Sequence, residues 1–121
     1  MHQIVFNEIS AAEVSAIPTL EQLELISSFK VDEACLHDAA SDSRFGVVER
    51  DGHKIYRFRS KDYRIYFTVE DGTVIVQRVL HANSLKDFLF RSSMGGSEDQ
   101  KLSNSRSFWK LIEEGEKAAR K

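Results

Sequence analysis

The chain reads as an α+β domain: an antiparallel sheet with N-terminal helices packed on one face, followed by a C-terminal helical extension. Three observations predict it. Residues 45–81 alternate apolar and polar with period two, broken at Asp51-Gly52 and Glu70-Asp71-Gly72, the pattern of strands joined by tight turns. Residues 8–40 instead place apolar side chains at helical spacing. Helices, then adjacent strands, then helices again is an α+β order and not a βαβ alternation.

The elements follow in turn. His2 to Phe6 is a short apolar strand. Ser10 with Glu13 has the spacing of a capping box, and Pro18 stops the helix that follows. Thr19 with Gln22 repeats that signature ahead of Leu20, Leu23, Ile26 and Phe29. Cys35, Leu36 and Ala39 continue an apolar face, and the acids of these helices are expected to point outward. Phe45, Val47 and Val48 open the sheet. Lys54 to Arg59 puts Tyr56 and Phe58 on one face and Arg57 and Arg59 on the other. Tyr63, Ile65, Phe67 and Val69 alternate next, and Thr73 to His81 is the most apolar strand. Asn83 or Ser84 caps a helix through Leu85, Phe88 and Leu89. Arg91 to Ser105, with its Ser-Ser and Gly-Gly pairs, reads as a linker. Ser107 opens a last helix with Phe108, Leu111 and Ile112 on one stripe and Trp109 beside it.

Composition narrows the class. With 121 residues, 41% of them hydrophobic and 30% charged, the chain suits one globular domain. It has no apolar run of membrane-spanning length and no secretory leader pattern, so a cytoplasmic protein without membrane contact is expected. The single cysteine, Cys35, permits no internal disulfide and suits a reducing compartment. The net charge of −2 hides an asymmetry: residues 1–43 carry −7, residues 44–92 carry +4 and residues 93–121 carry +1. A pI near 6.1 argues against tight nonspecific polyanion binding and leaves room for a local basic patch.

That patch is Tyr-Arg-Phe-Arg-Ser-Lys-Asp-Tyr-Arg-Ile-Tyr-Phe, Tyr56 to Phe67, with four cations on twelve residues among aromatics. Cations on a sheet face beside aromatics suit an unstacked RNA. An ordinary half-exposed hairpin with a solvated basic face is the plain alternative.

The same stretch, leading to Val-Leu-His-Ala-Asn-Ser-Leu-Lys-Asp-Phe, resembles the RelE/ParE superfamily of bacterial toxins. The likeness is strong over residues 44–92 and rests on element order alone over residues 2–43. It implies a RelE-like toxin domain at 1–92, with a linker and C-terminal helix at 93–121. It also implies a cognate antitoxin that wraps the toxin and shields or distorts its basic face. RelE-like members cleave mRNA in the ribosomal decoding site without a metal, and ParE-like members target DNA gyrase. The ribosome and mRNA are therefore the expected partners, with no cofactor. By position, Arg64 matches the Tyr-Arg element and Arg57 a family Lys or Arg. His81 falls near a family His or Arg. Two departures stand out: Ile55 replaces a family Lys, and Phe88 or Phe90 falls where several relatives carry a functional Tyr.

The chemistry implied is attack of a 2′-hydroxyl on the adjacent phosphate, which needs a proton acceptor, fixed positive charge and a proton for the leaving 5′ oxygen. Arg57 and Arg64 are the candidates for charge, since guanidinium forks onto phosphate and stays cationic. His81 is the candidate for proton transfer, with helix capping as its structural alternative. Lys54, Arg59, Lys61 and Arg78 are the candidate RNA contacts. Cross-strand pairing with Asp62, Glu70 or Asp71 is the structural alternative for the arginines. No metal ligands are expected, because His2, His37, His53 and His81 are scattered. A non-catalytic RNA- or protein-binding module and a ParE-like gyrase inhibitor stay open beside the endoribonuclease. The last helix is expected to cover an apolar patch away from the basic face, or to join two copies as a homodimer.

Overall fold

A computed structural model describes residues 3–31, 44–91 and 98–119. Expectations that fall on His2, Cys35, Leu36, His37 and Ala39 lie outside the described residues, as do the side chains of Phe88, Leu89 and Phe90. The order is β1 (Gln3–Phe6), α1 (Glu8–Ser15), α2 (Thr19–Ser28), β2 (Phe45–Arg50), β3 (His53–Ser60), β4 (Tyr63–Glu70) and β5 (Thr73–His81). Then come α3 (Ala82–Arg91), α4 (Glu98–Ser103) and α5 (Arg106–Ala119). The sheet runs β1-β5-β4-β3-β2. β2 to β5 form an antiparallel meander, and β1 adds a parallel edge strand beside β5.

Tight turns set the meander. Asp51 and Gly52, and again Asp71 and Gly72, all take positive φ, the conformation of the two-residue hairpin turns that match strand twist. The resulting register puts Phe45 opposite Phe58, and Phe58 opposite Ile65. That face carries the first core. Val14, Ile17, Leu25 and Phe29 pack there on Phe45, Phe58, Ile65, Phe67, Val74 and Val76. The Phe29 ring lies 5.1 Å from that of Phe58 and 5.4 Å from that of Phe67.

The sheet's other face is also covered, which corrects the expectation of an open basic surface. Val48, Ile55, Tyr66 and Leu80 meet Leu85, Leu102, Phe108, Trp109 and Ile112 in a second core. The C-terminal extension thus docks on the face that carries the arginines, not away from it. The reason is parity: Ile55 and Tyr66 share that face with Arg57, so the helices that bury the first two lie over the third. The apolar stripe of α5 packs inside its own chain. No described helix is long and apolar enough to cross a membrane.

Local signals moved by a few residues. Asn7, not Ser10, caps α1: its side chain accepts from the Ser10 N–H at 2.7 Å, and the Asn7 N–H donates to Ser10 Oγ at 3.0 Å. Glu13 is thereby released for a different task. α2 begins at Thr19 as expected, but without a side-chain cap. The expected linker shortens, because Glu98–Ser103 is helical. Ser105 caps α5 by accepting from the Phe108 N–H at 3.2 Å. The helix then crosses β5 at Gly115, where a Cβ would collide with the Gln77 carbonyl. The Asn7 side chain closes the crossing, donating to the Gly115 carbonyl at 2.8 Å and the Gln77 carbonyl at 3.1 Å.

The two-sided core makes a quantitative prediction. Phe108 is fully buried, so Phe108→Ala should cost about 3–5 kcal/mol in urea unfolding with little change in slope. Leu20, on α2, is 83% exposed, and Leu20→Ala should stay within about 0.5 kcal/mol. Similar values for both would mean that α5 is not part of the cooperative core.

Candidate functional site

Period two places Ile55, Arg57 and Arg59 on the second face of β3, and the β3–β4 register sets Arg57 opposite Tyr66 and Arg59 opposite Arg64. Like charges directly across a ladder repel. Here α4 supplies the counter-charge. Arg57 forks onto Asp99, with Nε 3.0 Å from Oδ1 and Nη2 3.0 Å from Oδ2. Its Nη1 donates to the Arg44 carbonyl at 3.2 Å. Arg64 Nε donates to Glu98 Oε2 at 3.0 Å, while its Nη1 reaches the Lys61 carbonyl at 2.8 Å and the Tyr63 carbonyl at 3.1 Å. Arg59 Nη2 approaches the same Glu98 oxygen at 3.5 Å. Gly46, opposite Arg57 on β2, is required: a Cβ there would collide with the Arg57 guanidinium and sit 2.6 Å from Asp99 Oδ2.

Arg57 and Arg64 are therefore not wet-face residues. They are only 5% and 8% exposed, because α4 lies over them. Asp62, Glu70 and Asp71, considered from sequence as their partners, are replaced by Glu98 and Asp99 from the extension.

Tyr66 lies fully buried with these groups, edge-on to Phe108 at 5.0 Å. Among the described residues its hydroxyl and Arg59 Nε have no hydrogen-bond partner. Burial pushes the Tyr66 hydroxyl far above the usual tyrosine range. The Glu98 and Asp99 charges push it further, against the opposing pull of Arg64 and Arg57. It keeps its proton at physiological pH and can donate a hydrogen bond. Sequence reasoning missed Tyr66, Glu98, Asp99 and Gly46. The parity of Tyr66 with Arg64 was a usable signal for the first.

His81 is elsewhere. It pairs with Tyr63 across β4 and β5, on the α2 side of the sheet, with its ring edge-on to Tyr63 at 5.0 Å. A register shift at Tyr66/Phe67 explains this. Val76 pairs with Phe67 and Arg78 with Tyr66, so Gln77 is the extra residue and every later position of β5 changes side. Without that bulge, His81 would share a face with Arg64. Its Nδ1 instead accepts the Asn83 N–H at 3.0 Å, the capping role that was its structural alternative. The expected trio of Arg57, Arg64 and His81 is not assembled.

The remaining candidates divide between two places. Lys61, at positive φ in the β3–β4 turn, holds Glu24 at 2.6 Å. The hydrogen bond with Glu24, then its charge, holds the Lys61 ammonium above its usual range. Tyr63 donates to Glu21 at 3.0 Å, and its hydroxyl is raised by burial first and by Glu21 second. Lys54 stands over the Tyr56 ring at 4.9 Å. Arg78 is a structural staple: it forks onto Glu13, with Nη2 2.8 Å from Oε2, and donates to the Leu111 carbonyl at 3.2 Å. Glu13 thus turns inward to Arg78, while Glu21 and Glu24 of α2 stay exposed and reach Tyr63 and Lys61 from the surface. Among the described residues no group of three or more His, Cys, Asp or Glu is placed to hold a metal ion.

Comparison with known proteins bears on this architecture. Residues 31–85 match the family model described as ParE toxin of the type II toxin-antitoxin system, parDE. None of the curated proteins matches. The crystal structure of the toxin–antitoxin complex RelBE2 from Mycobacterium tuberculosis contains a similar chain, with a TM-score of 0.51 and 16% identity. That alignment covers 66% of this chain and 96% of the other. A chain of the RelB–RelE antitoxin–toxin complex from Methanococcus jannaschii is 25% identical, at a TM-score of 0.42, over 69% of this chain and 96% of its own. The matched segment holds the hairpin that presents Arg57, Arg59 and Arg64; over that segment the chain is similar to the ParE toxin family, and its fold is that of the RelBE2 chain.

Proposed function

We propose that this chain is the toxin of a type II toxin–antitoxin pair, that a protein antitoxin neutralises it, and that its target is mRNA on the ribosome. One observation carries the RNA reading: three guanidinium groups and a tyrosine hydroxyl stand side by side on one sheet face, all of them donors. A phosphodiester offers acceptor oxygens at that spacing. In the cleavage step the 2′ oxygen bonds to phosphorus and the bond to the 5′ oxygen breaks. The 2′ proton leaves, and the 5′ oxygen takes a proton up. Arg57 and Arg64 would hold the charge of the phosphorane, and Tyr66 would donate a hydrogen bond to it without titrating. Arg57, Arg59, Arg64 and Tyr66 themselves supply no general base, so in this reading the 2′ proton goes to a group of the ribosome or to water.

The position of His81 favours a second reading, inhibition of DNA gyrase, which needs no proton transfer. The ParE wording of the matching family points the same way. Induction of the chain in a bacterial host separates the readings. Radiolabelled amino-acid incorporation should fall before thymidine incorporation does. Thymidine falling first would install the gyrase reading, and no change in either would leave a binding module.

The variants follow from burial. Arg59 has a side chain 40% exposed, so Arg59→Ala should stay folded yet weaken binding of RNA by about 1–3 kcal/mol. Arg57 needs a double-mutant cycle. Asp99→Asn removes the carboxylate from a guanidinium 6% exposed that keeps the Arg44 carbonyl, and should cost about 1–3 kcal/mol, whereas the Arg57→Ala/Asp99→Ala pair should cost clearly less than the sum of its single changes. Strict additivity in urea unfolding would show that the pair contributes no coupling. Tyr66→Phe removes a buried hydroxyl without a partner and should stabilise by about 1 kcal/mol at neutral pH while lowering RNA affinity. A destabilised Tyr66→Phe protein would show that the hydroxyl is already satisfied.

A further inference from the structure

The two helices of the extension are held very differently. α5 places Phe108, Trp109 and Ile112 in the second core and is tied to Asn7 at Gly115. α4 has six residues, too few to be stable by themselves, and buries one apolar side chain, Leu102. Besides Leu102, its anchors include the Asp99 fork on Arg57, Glu98 between Arg59 and Arg64, and the Trp109 Nε1–H that donates to the Ser103 carbonyl at 2.9 Å.

The fit of α4 on the arginines is specific and incomplete. It is specific because Gly46 leaves room for the Asp99 carboxylate on Arg57, and a Cβ there would not. It is incomplete because one Glu98 oxygen serves two arginines, while Arg59 Nε and the Tyr66 hydroxyl find no acceptor among the described residues. Two buried donors thus lack an acceptor among the described residues, at a site that is closed over Arg57 and Arg64 and open to water at Arg59. Two carboxylates occupy the places of a ligand with more oxygens.

We propose that α4 is a built-in inhibitor of the arginine face: Glu98 and Asp99 stand where phosphate oxygens bind, and α4 must come away, with α5 still docked, before a nucleic-acid backbone can engage Arg57, Arg59, Arg64 and Tyr66. This inference rests on the reading of that face as a phosphate grip. Its energetics follow from the unequal anchoring, since releasing α4 exposes one leucine and hydrates charged groups, whereas releasing α5 would open the core. The cover reduces apparent affinity by the fraction of molecules that are open; it does not abolish binding.

The test uses the full chain and two readouts. One is hydrogen exchange of residues 98–103 against residues 45–60 and 106–119. The other is fluorescence anisotropy of a labelled oligouridylate of about ten nucleotides. In Glu98→Gln/Asp99→Asn, exchange at 98–103 should rise while the other segments stay protected, and affinity should rise about tenfold or more. Adding Arg57→Ala should remove the gain. Gly46→Ala provides a second perturbation that deletes no charge, because its methyl would collide with the Arg57 guanidinium and with Asp99 Oδ2; it should raise exchange at 98–103 if the double variant fails to fold. Wild-type protein that already binds as tightly as the open variants, through Arg57, would overturn the inhibitor and leave the phosphate grip standing. Released α4 with no gain in RNA binding would overturn the phosphate grip itself. Unchanged exchange at 98–103 in both variants would show that the carboxylates do not hold α4.

Discussion

Strand parity is the constraint on which the rest of this structure depends. Side chains on a β-strand alternate strictly, so Ile55 and Arg57 must face the same way, and Tyr66 and Arg64 with them. An apolar residue at 55 or 66 needs a cover. Any cover large enough for Tyr66 also lies over the arginines. The chain resolves the conflict with a cover of two kinds: apolar side chains from α5 over the apolar positions, and carboxylates from α4 over the cations. Buried guanidinium is tolerable only when paired in this way.

The same logic accounts for the near-neutral net charge. Among the described residues, three acids of the N-terminal helices reach donors of the sheet. Glu13 forks onto Arg78, and its Oε1 also accepts the Val79 N–H at 2.9 Å. Glu21 takes the Tyr63 hydroxyl, and Glu24 takes Lys61. Each acid satisfies a donor at the end or edge of a strand. The charges that suggest a polyanion partner from sequence are largely balanced within the chain, and Arg59 is the most exposed of the three arginines under α4.

The meander was legible because its signals are local. Alternation and Asp-Gly turns place β5 at Thr73–His81 and set Tyr56 and Phe58 against Arg57 and Arg59, as the structure has them. What was hidden depends on distance or on single residues. A six-residue helix is too short to show a periodic pattern, so Glu98–Ser103 passed for linker; its order comes from Arg57 and Leu102 contacts that sequence spacing does not encode. The bulge at Gln77 leaves no compositional mark, yet it alone sends His81 to the α2 side. The α1 cap shifted because Asn7 and Ser10 satisfy each other, which left Glu13 to reach across to β5.

Vectorial synthesis gives the cover an order in time. β1 is the first strand made, and it closes on β5, the last, so the sheet is complete only when His81 has emerged. The residues that shield its second face, Glu98 to Ala119, follow behind. At about 5–20 residues per second, the interval is on the order of seconds, longer than a domain of this size needs to form a meander. The strands that carry the arginines are therefore made before the carboxylates of α4 that pair with them.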